Sequence, residues 1–113
     1  MPHFIIEYSQ DLLDDKQIPE MLDAVHNAAM ETGLFIESHI KTRAIPVQFY
    51  RIGTGHERFI HAQLRIKIGR NIEQKKLLSA AVLNAIKRIG CDVKVITVEV
   101  VDMDSECYAK ATY

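Results

Sequence analysis

The chain has 113 residues, 14 of them Lys or Arg against 15 Asp or Glu, for a formal net charge of -1 at pH 7 with histidine neutral. That length suits a single domain, residues 1–113, which buries about two thirds of its unfolded surface, and the charge balance excludes the global basic field of a nucleic-acid binder. No apolar run approaches the roughly 18 residues of a membrane span, and the first residues lack the charged start and apolar stretch of a secretory signal, so a cytoplasmic protein without a membrane partner is expected.

Residues 3–8 are short, apolar and bounded by Ser9-Gln10-Asp11, which predicts a buried strand. A helix follows. Pro19 fits its first turn, and Ile18, Met21, Leu22, Val25, Ala28 and Ala29 recur at steps of three and four until Gly33 stops the pattern. The acidic group Asp11, Asp14 and Asp15 suits the helix start, where the dipole favours negative charge. Residues 40–52 are rich in β-branched and aromatic side chains but are broken by Pro46, which predicts one short strand and then an edge strand or loop. The turn Gly53-Thr54-Gly55-His56 closes this excursion.

Residues 59–68 alternate strictly. Ile60, Ala62, Leu64, Ile66 and Ile68 share one face, and Phe59, His61, Gln63, Arg65 and Lys67 share the other. Gly69-Arg70 makes a turn, and Asn71 with Gln74 three residues on forms a capping-box pattern. It opens a helix through Leu77, Leu78, Ala81, Val82, Ala85, Ile86 and Ile89, ended by Gly90. Residues 93–101 form a third long strand, and residues 102–113 are polar and unassigned. Cys91 and Cys107 make neither a CxxC nor a zinc-ligand pattern, so two buried thiols and no metal are expected.

The order is therefore β-α-β, an excursion, and β-α-β again: an α+β fold whose right-handed crossovers put both helices on one face of a roughly four-stranded sheet. One face of residues 93–101 is almost wholly aliphatic. Helices cover only one side of a sheet, so an oligomer burying the second side is expected.

Pro2 is the candidate residue for chemistry. Removal of Met1 before a small residue exposes a secondary amine, and an α-amino group, with an ordinary pKa of about 7.7–8.0, moves toward neutrality when it is desolvated or flanked by cations. Such an amine shuttles protons. The structural alternative is that Pro2 starts an edge strand, where its missing N–H costs nothing. His61, on the polar face of its strand with Arg65, is a second candidate base or an interfacial residue.

The start Pro-His-Phe-Ile-Ile-Glu-Tyr-Ser (2–9), Thr-Gly-Leu-Phe (32–35), Ile-Lys-Thr-Arg (40–43) and above all Leu-Arg-Ile-Lys-Ile-Gly-Arg (64–70) resemble the 5-carboxymethyl-2-hydroxymuconate isomerase family of the tautomerase superfamily. The likeness runs from Pro2 to about Val101. It implies a homotrimer with sheets inside and helices outside, and a cofactor-independent isomerase in aromatic catabolism. Its amino-terminal proline moves a proton within an unsaturated 2-hydroxy or 2-oxo polycarboxylate. It further implies Pro2 and Arg70 as catalytic residues, with Lys41 and Arg43 as contacts for a small carboxylate substrate. Phe35, after Gly33-Leu34, either walls the pocket or belongs to the core.

The chain departs from that pattern at three places. Lys41 stands where the family has arginine, a point charge in place of a planar fork. The loop before Arg70 is one residue shorter, and the tail after Asp102 has little counterpart. The alternatives are another reaction of the superfamily, such as keto-enol tautomerisation or dehalogenation, and a trimeric binding protein without catalysis.

Overall fold

The computed structural model describes residues 1–113, in the order β1 (His3–Ser9), α1 (Gln17–Glu31), a short 3-10 helix (Glu37–His39), β2 (Lys41–Val47), β3 (Phe59–Lys67), α2 (Ile72–Lys87) and β4 (Val95–Met103). The strands lie side by side as β2-β1-β3-β4. Each β-α-β unit contributes a parallel pair, β1 with β2 and β3 with β4, and the two units join through the antiparallel pair β1 and β3. The first strand of each unit is thereby central. Pro2 leads into the middle of the sheet, not into an edge.

The alternation in β3 works as its pattern requires. Ile60, Ala62, Leu64 and Ile66 are buried on the helix side with Phe4, Ile6 and Tyr8 of β1, against Met21, Val25 and Ala29 of α1 and Leu78, Val82 and Ile86 of α2. Each fully buried aliphatic side chain of this kind contributes about 1.5–3 kcal/mol. This shared core fixes where β1 begins and β3 ends, and so where the site lies.

Both helix starts are capped. Asn71 Oδ1 accepts from the Gln74 amide at 2.9 Å while Gln74 Oε1 accepts from the Asn71 amide at 3.0 Å, the reciprocal box its spacing predicts. Ahead of α1, Asp14 Oδ1 accepts from the amides of Lys16 and Gln17, and Gln17 Oε1 accepts from the Asp14 amide. Of the three aspartates near that helix, Asp14 therefore does the capping.

Several expectations shift. Pro46 lies inside a strand, because β2 is the edge. The Lys41 amide and the Val47 carbonyl both bond toward β1, so odd positions face the partner and Pro46, at an even position, faces the open edge where no donor is needed. The third long strand is displaced by two residues to Val95–Met103. Ile68 falls just past the end of β3 and is 59% exposed, and Leu77 on α2 is 52% exposed, so neither belongs to the core. Cys91 is half-buried and Cys107 exposed, contrary to the expected pair of buried thiols.

The uncovered face also differs from expectation. The aliphatic side of β4 (Ile96, Val98, Val100) pairs in register with Ile60, Ala62 and Leu64, so it lies on the helix side and packs against the core. The helix-free side carries His3, Ile5 and Glu7 of β1, Lys41, Arg43 and Ile45 of β2, and His61, Gln63 and Arg65 of β3. It is a mixed surface, not an apolar one. No helix is long and apolar enough to cross a membrane.

Candidate active site

A cavity of about 310 Å³ opens at the end of the sheet where β1 begins and β3 stops, and Met1, Pro2, Phe35, Lys67, Arg70 and Lys110 are among the residues that line it. Three elements converge there because three local signals end them. Gly33, at φ 71°, closes α1 and turns Leu34 and Phe35 inward. Gly69, at φ 123°, is the backbone position only glycine adopts without strain, and it swings Arg70 from the end of β3 to the start of α2. Pro2 is less than 2% exposed beneath Met1, and its carbonyl accepts from the Lys41 amide at 3.1 Å.

The electrostatics are one-sided. The Met1 amine is lowered from 8.0 to about 6, first by burial, then by a hydrogen bond with Lys41 and by the charges of Lys41, Lys110 and Lys67. No carboxylate lines the cavity. Such a lining repels a proton from the amine and attracts an anion.

Arg70 and Phe35 form one unit. The guanidinium Cζ lies 5.8 Å from the centre of the Phe35 ring, a cation–π distance, and Phe35 is braced edge-on by Phe4 at 5.8 Å. One Nη of Arg70 donates to the Leu34 carbonyl. Its Nε, although buried, has no partner, an unmet donor of the kind that carries a desolvation cost until a ligand satisfies it.

Of the residues singled out from the sequence, Pro2, Phe35 and Arg70 meet in this cavity. Lys41 stands at its border, reaching the Met1 amine while its Nζ donates to the His39 carbonyl at 3.1 Å. Arg43 is not brought in: it lies on the helix-free face, where its Nη1 donates to His3 Nδ1 at 3.2 Å. His61 is also apart, held by Thr97 and Glu99 at 2.6 Å each. No cluster of three His, Cys, Asp or Glu side chains is placed to hold a metal.

Two cavity cations were not singled out. Lys67 reads as one more polar-face residue of β3, and as the last residue of that strand it lines the cavity. Lys110 lies in a tail with no periodic signal, so nothing in the sequence places it.

Beside Pro2, the ring of His3 is held below its ordinary value of 6.5 by burial, then by Arg43, Lys41, the α-amino group and Arg65. The unfolded chain therefore takes up a proton near pH 6.5 that the folded chain refuses, and the stability His3 contributes is full above that pH and lost as the pH falls toward the folded value. Urea midpoints are expected to fall from about pH 7 to about pH 5, and less steeply in His3→Gln. Equal slopes in the two proteins would remove His3 as the cause.

A family model described as 5-carboxymethyl-2-hydroxymuconate isomerase matches residues 2–104. The 5-carboxymethyl-2-hydroxymuconate Delta-isomerase of Escherichia coli is 27% identical over 89 residues, covering 77% of this chain and 71% of that protein. Among solved structures, a 5-carboxymethyl-2-hydroxymuconate isomerase from Deinococcus radiodurans R1 superposes with a TM-score of 0.84 at 23% identity, covering 99% of this chain and 90% of the other. A fused 4-OT wild-type symmetric trimer gives 0.84 at 17% identity, covering 96% and 91%. At these identities the structural likeness speaks to the fold, which is that of the tautomerases.

Proposed function

The chain belongs to the 5-carboxymethyl-2-hydroxymuconate isomerase family and is an isomerase of the tautomerase type, and from that premise we propose that it transposes a double bond in an unsaturated 2-hydroxy polycarboxylate such as 5-carboxymethyl-2-hydroxymuconate, with Pro2 as base and acid. The observation that carries this reading is an α-amino group lowered to about 6 at a cavity lined by cations. With Met1 present, the Pro2 nitrogen is an amide and the amine belongs to Met1. Trimming transfers the amine to Pro2, among the same cations.

The neutral Pro2 amine takes the proton of the substrate's 2-hydroxyl. The electron pair spreads through the diene as a dienolate, and the same proton returns to a distant carbon, leaving a 2-oxo acid. No electrons leave the substrate, and the reaction calls on no cofactor. Arg70 supplies the fixed donor for the developing negative charge, an interaction stronger in the transition state than in the ground state. Phe35 walls the cavity and holds Arg70, and burial, with Lys41 and the other lysines beside it, keeps the amine deprotonated. Arg43 acts at one remove, through His3.

The same reading makes the protein a homotrimer associated through the helix-free sheet face, working in the cytoplasm on products of aromatic-ring breakdown. The trimeric state of a solved 4-OT protein of the same fold and the mixed, partly apolar character of that face support the assembly.

The test is ultraviolet monitoring of trimmed protein with 5-carboxymethyl-2-hydroxymuconate and, separately, with the enol of phenylpyruvate. A kcat/KM at least about tenfold higher on the muconate is expected, because the cavity offers more cations than a single carboxylate uses. A preference for phenylpyruvate would move the assignment to keto-enol tautomerisation.

A further inference from the structure

The family match ends at residue 104, yet the chain beyond it folds back over the start of β1. A turn after β4, in which the Cys107 amide donates to the Asp104 carbonyl at 3.2 Å and the Glu106 amide to Asp104 Oδ1 at 2.9 Å, reverses the chain. Tyr108 then packs against His3, ring centres 5.9 Å apart, with its hydroxyl 2.9 Å from His3 Nε2. Two residues further on, Lys110 lines the cavity with Lys67 and Arg70.

The hydrogen bonds around His3 assign its tautomer. A guanidinium only donates, so Nδ1, facing Arg43, carries the lone pair. The proton therefore sits on Nε2, which donates to the Tyr108 oxygen. Arg43, His3 and Tyr108 form a continuous chain from β2 across β1 to the tail. This chain anchors a segment that otherwise has no secondary structure. Lys110 itself is exposed and takes part in none of the ion pairs of the fold.

We infer that the tail supplies a specificity residue: Lys110 receives a second carboxylate of the substrate while Arg70 serves the reacting end, and the Arg43–His3–Tyr108 chain holds the tail where Lys110 reaches the cavity. This deepens the isomerase reading and rests on it. Lys67 stands at the end of β3 and Arg70 in the loop that follows, so Lys110 of the tail is the one lining cation from a separate segment. A monocarboxylate leaves it unused. Discrimination then arises as a difference of affinities between ligands of like shape and unlike charge.

The experiment is calorimetric titration of trimmed protein with trans,trans-muconate and with sorbate, two dienes of equal chain length bearing two carboxylates and one. Wild type is expected to bind muconate at least about tenfold more tightly. Lys110→Gln is expected to remove most of that preference through muconate alone, Lys110→Arg to keep it, and Tyr108→Phe to lose part of it. A muconate-to-sorbate ratio unchanged in Lys110→Gln overturns the inference, as does wild-type protein that binds neither ligand or both equally. The readout is binding, so the two readings fail separately. A Lys110-dependent preference without turnover of any dienol counts against the isomerase reading alone, and turnover with an unchanged ratio counts against the tail alone.

Discussion

Protein beginning at Pro2 is expected to isomerise a 2-hydroxymuconate-type dienol at least about a hundredfold faster than the same chain bearing Met1, the scale of general acid–base catalysis. An amide nitrogen has no available lone pair for a proton at neutral pH, and Met1 lies over Pro2, which is less than 2% exposed. Retention of Met1 therefore removes the base and fills part of the cavity. The Met1 amine, although lowered to about 6, sits one residue before Pro2 and lacks the ring that fixes the direction of its lone pair, and misplacement by about 1 Å costs on the order of a hundredfold. Pro2→Ala, trimmed to a primary amine, is expected to lose activity on a comparable scale. Its nitrogen is free to rotate and is able to condense with the 2-oxo product as an imine.

Arg70→Ala is expected to lower kcat/KM by about 10²–10³, the usual effect of deleting one fixed donor aimed at a developing oxyanion. The guanidinium is positioned from two sides, by the Phe35 ring and by the Leu34 carbonyl, with its Nε left free. Positioning of this kind is set before substrate arrives and needs no rearrangement during reaction. Arg70→Lys is expected to recover only part of the loss, since an ammonium restores the charge without the planar fork. A variant with Arg70→Ala kinetics within about threefold of wild type would place the charge-stabilising donor elsewhere.

The parts of the fold that were legible are those governed by local chemistry. The alternation through β3, the Asn71 and Gln74 box and the glycines at 33, 69 and 90 each act over a few residues, and each appears where its pattern places it. Pairing is less local. Pro46 reads as a strand breaker until β2 is known to be an edge, and Ile68 reads as core until β3 is known to stop at Lys67. The aliphatic side of β4 looks like an interface until register with β3 turns it to the helices.

The site divides in the same way. Pro2, Phe35 and Arg70 were singled out with the help of the family resemblance, and the three line one cavity. Lys41 and Arg43, two positions apart on one strand, share a sheet face, but only Lys41, opposite His3 at the start of β1, reaches the amine. Arg43 is instead tied to His3. Lys110 depends on a reversal of the chain after β4 and on a hydrogen bond between residues 3 and 108. A contact between the two ends of a chain leaves no periodic trace.

The claim that the Pro2 nitrogen moves the proton is tested most directly by rates of dienol isomerisation on two preparations whose first residue has been verified by mass spectrometry, one beginning at Met1 and one at Pro2. Activity confined to the protein that begins at Pro2 is the predicted result. Equal activity in the protein that retains Met1 would contradict it.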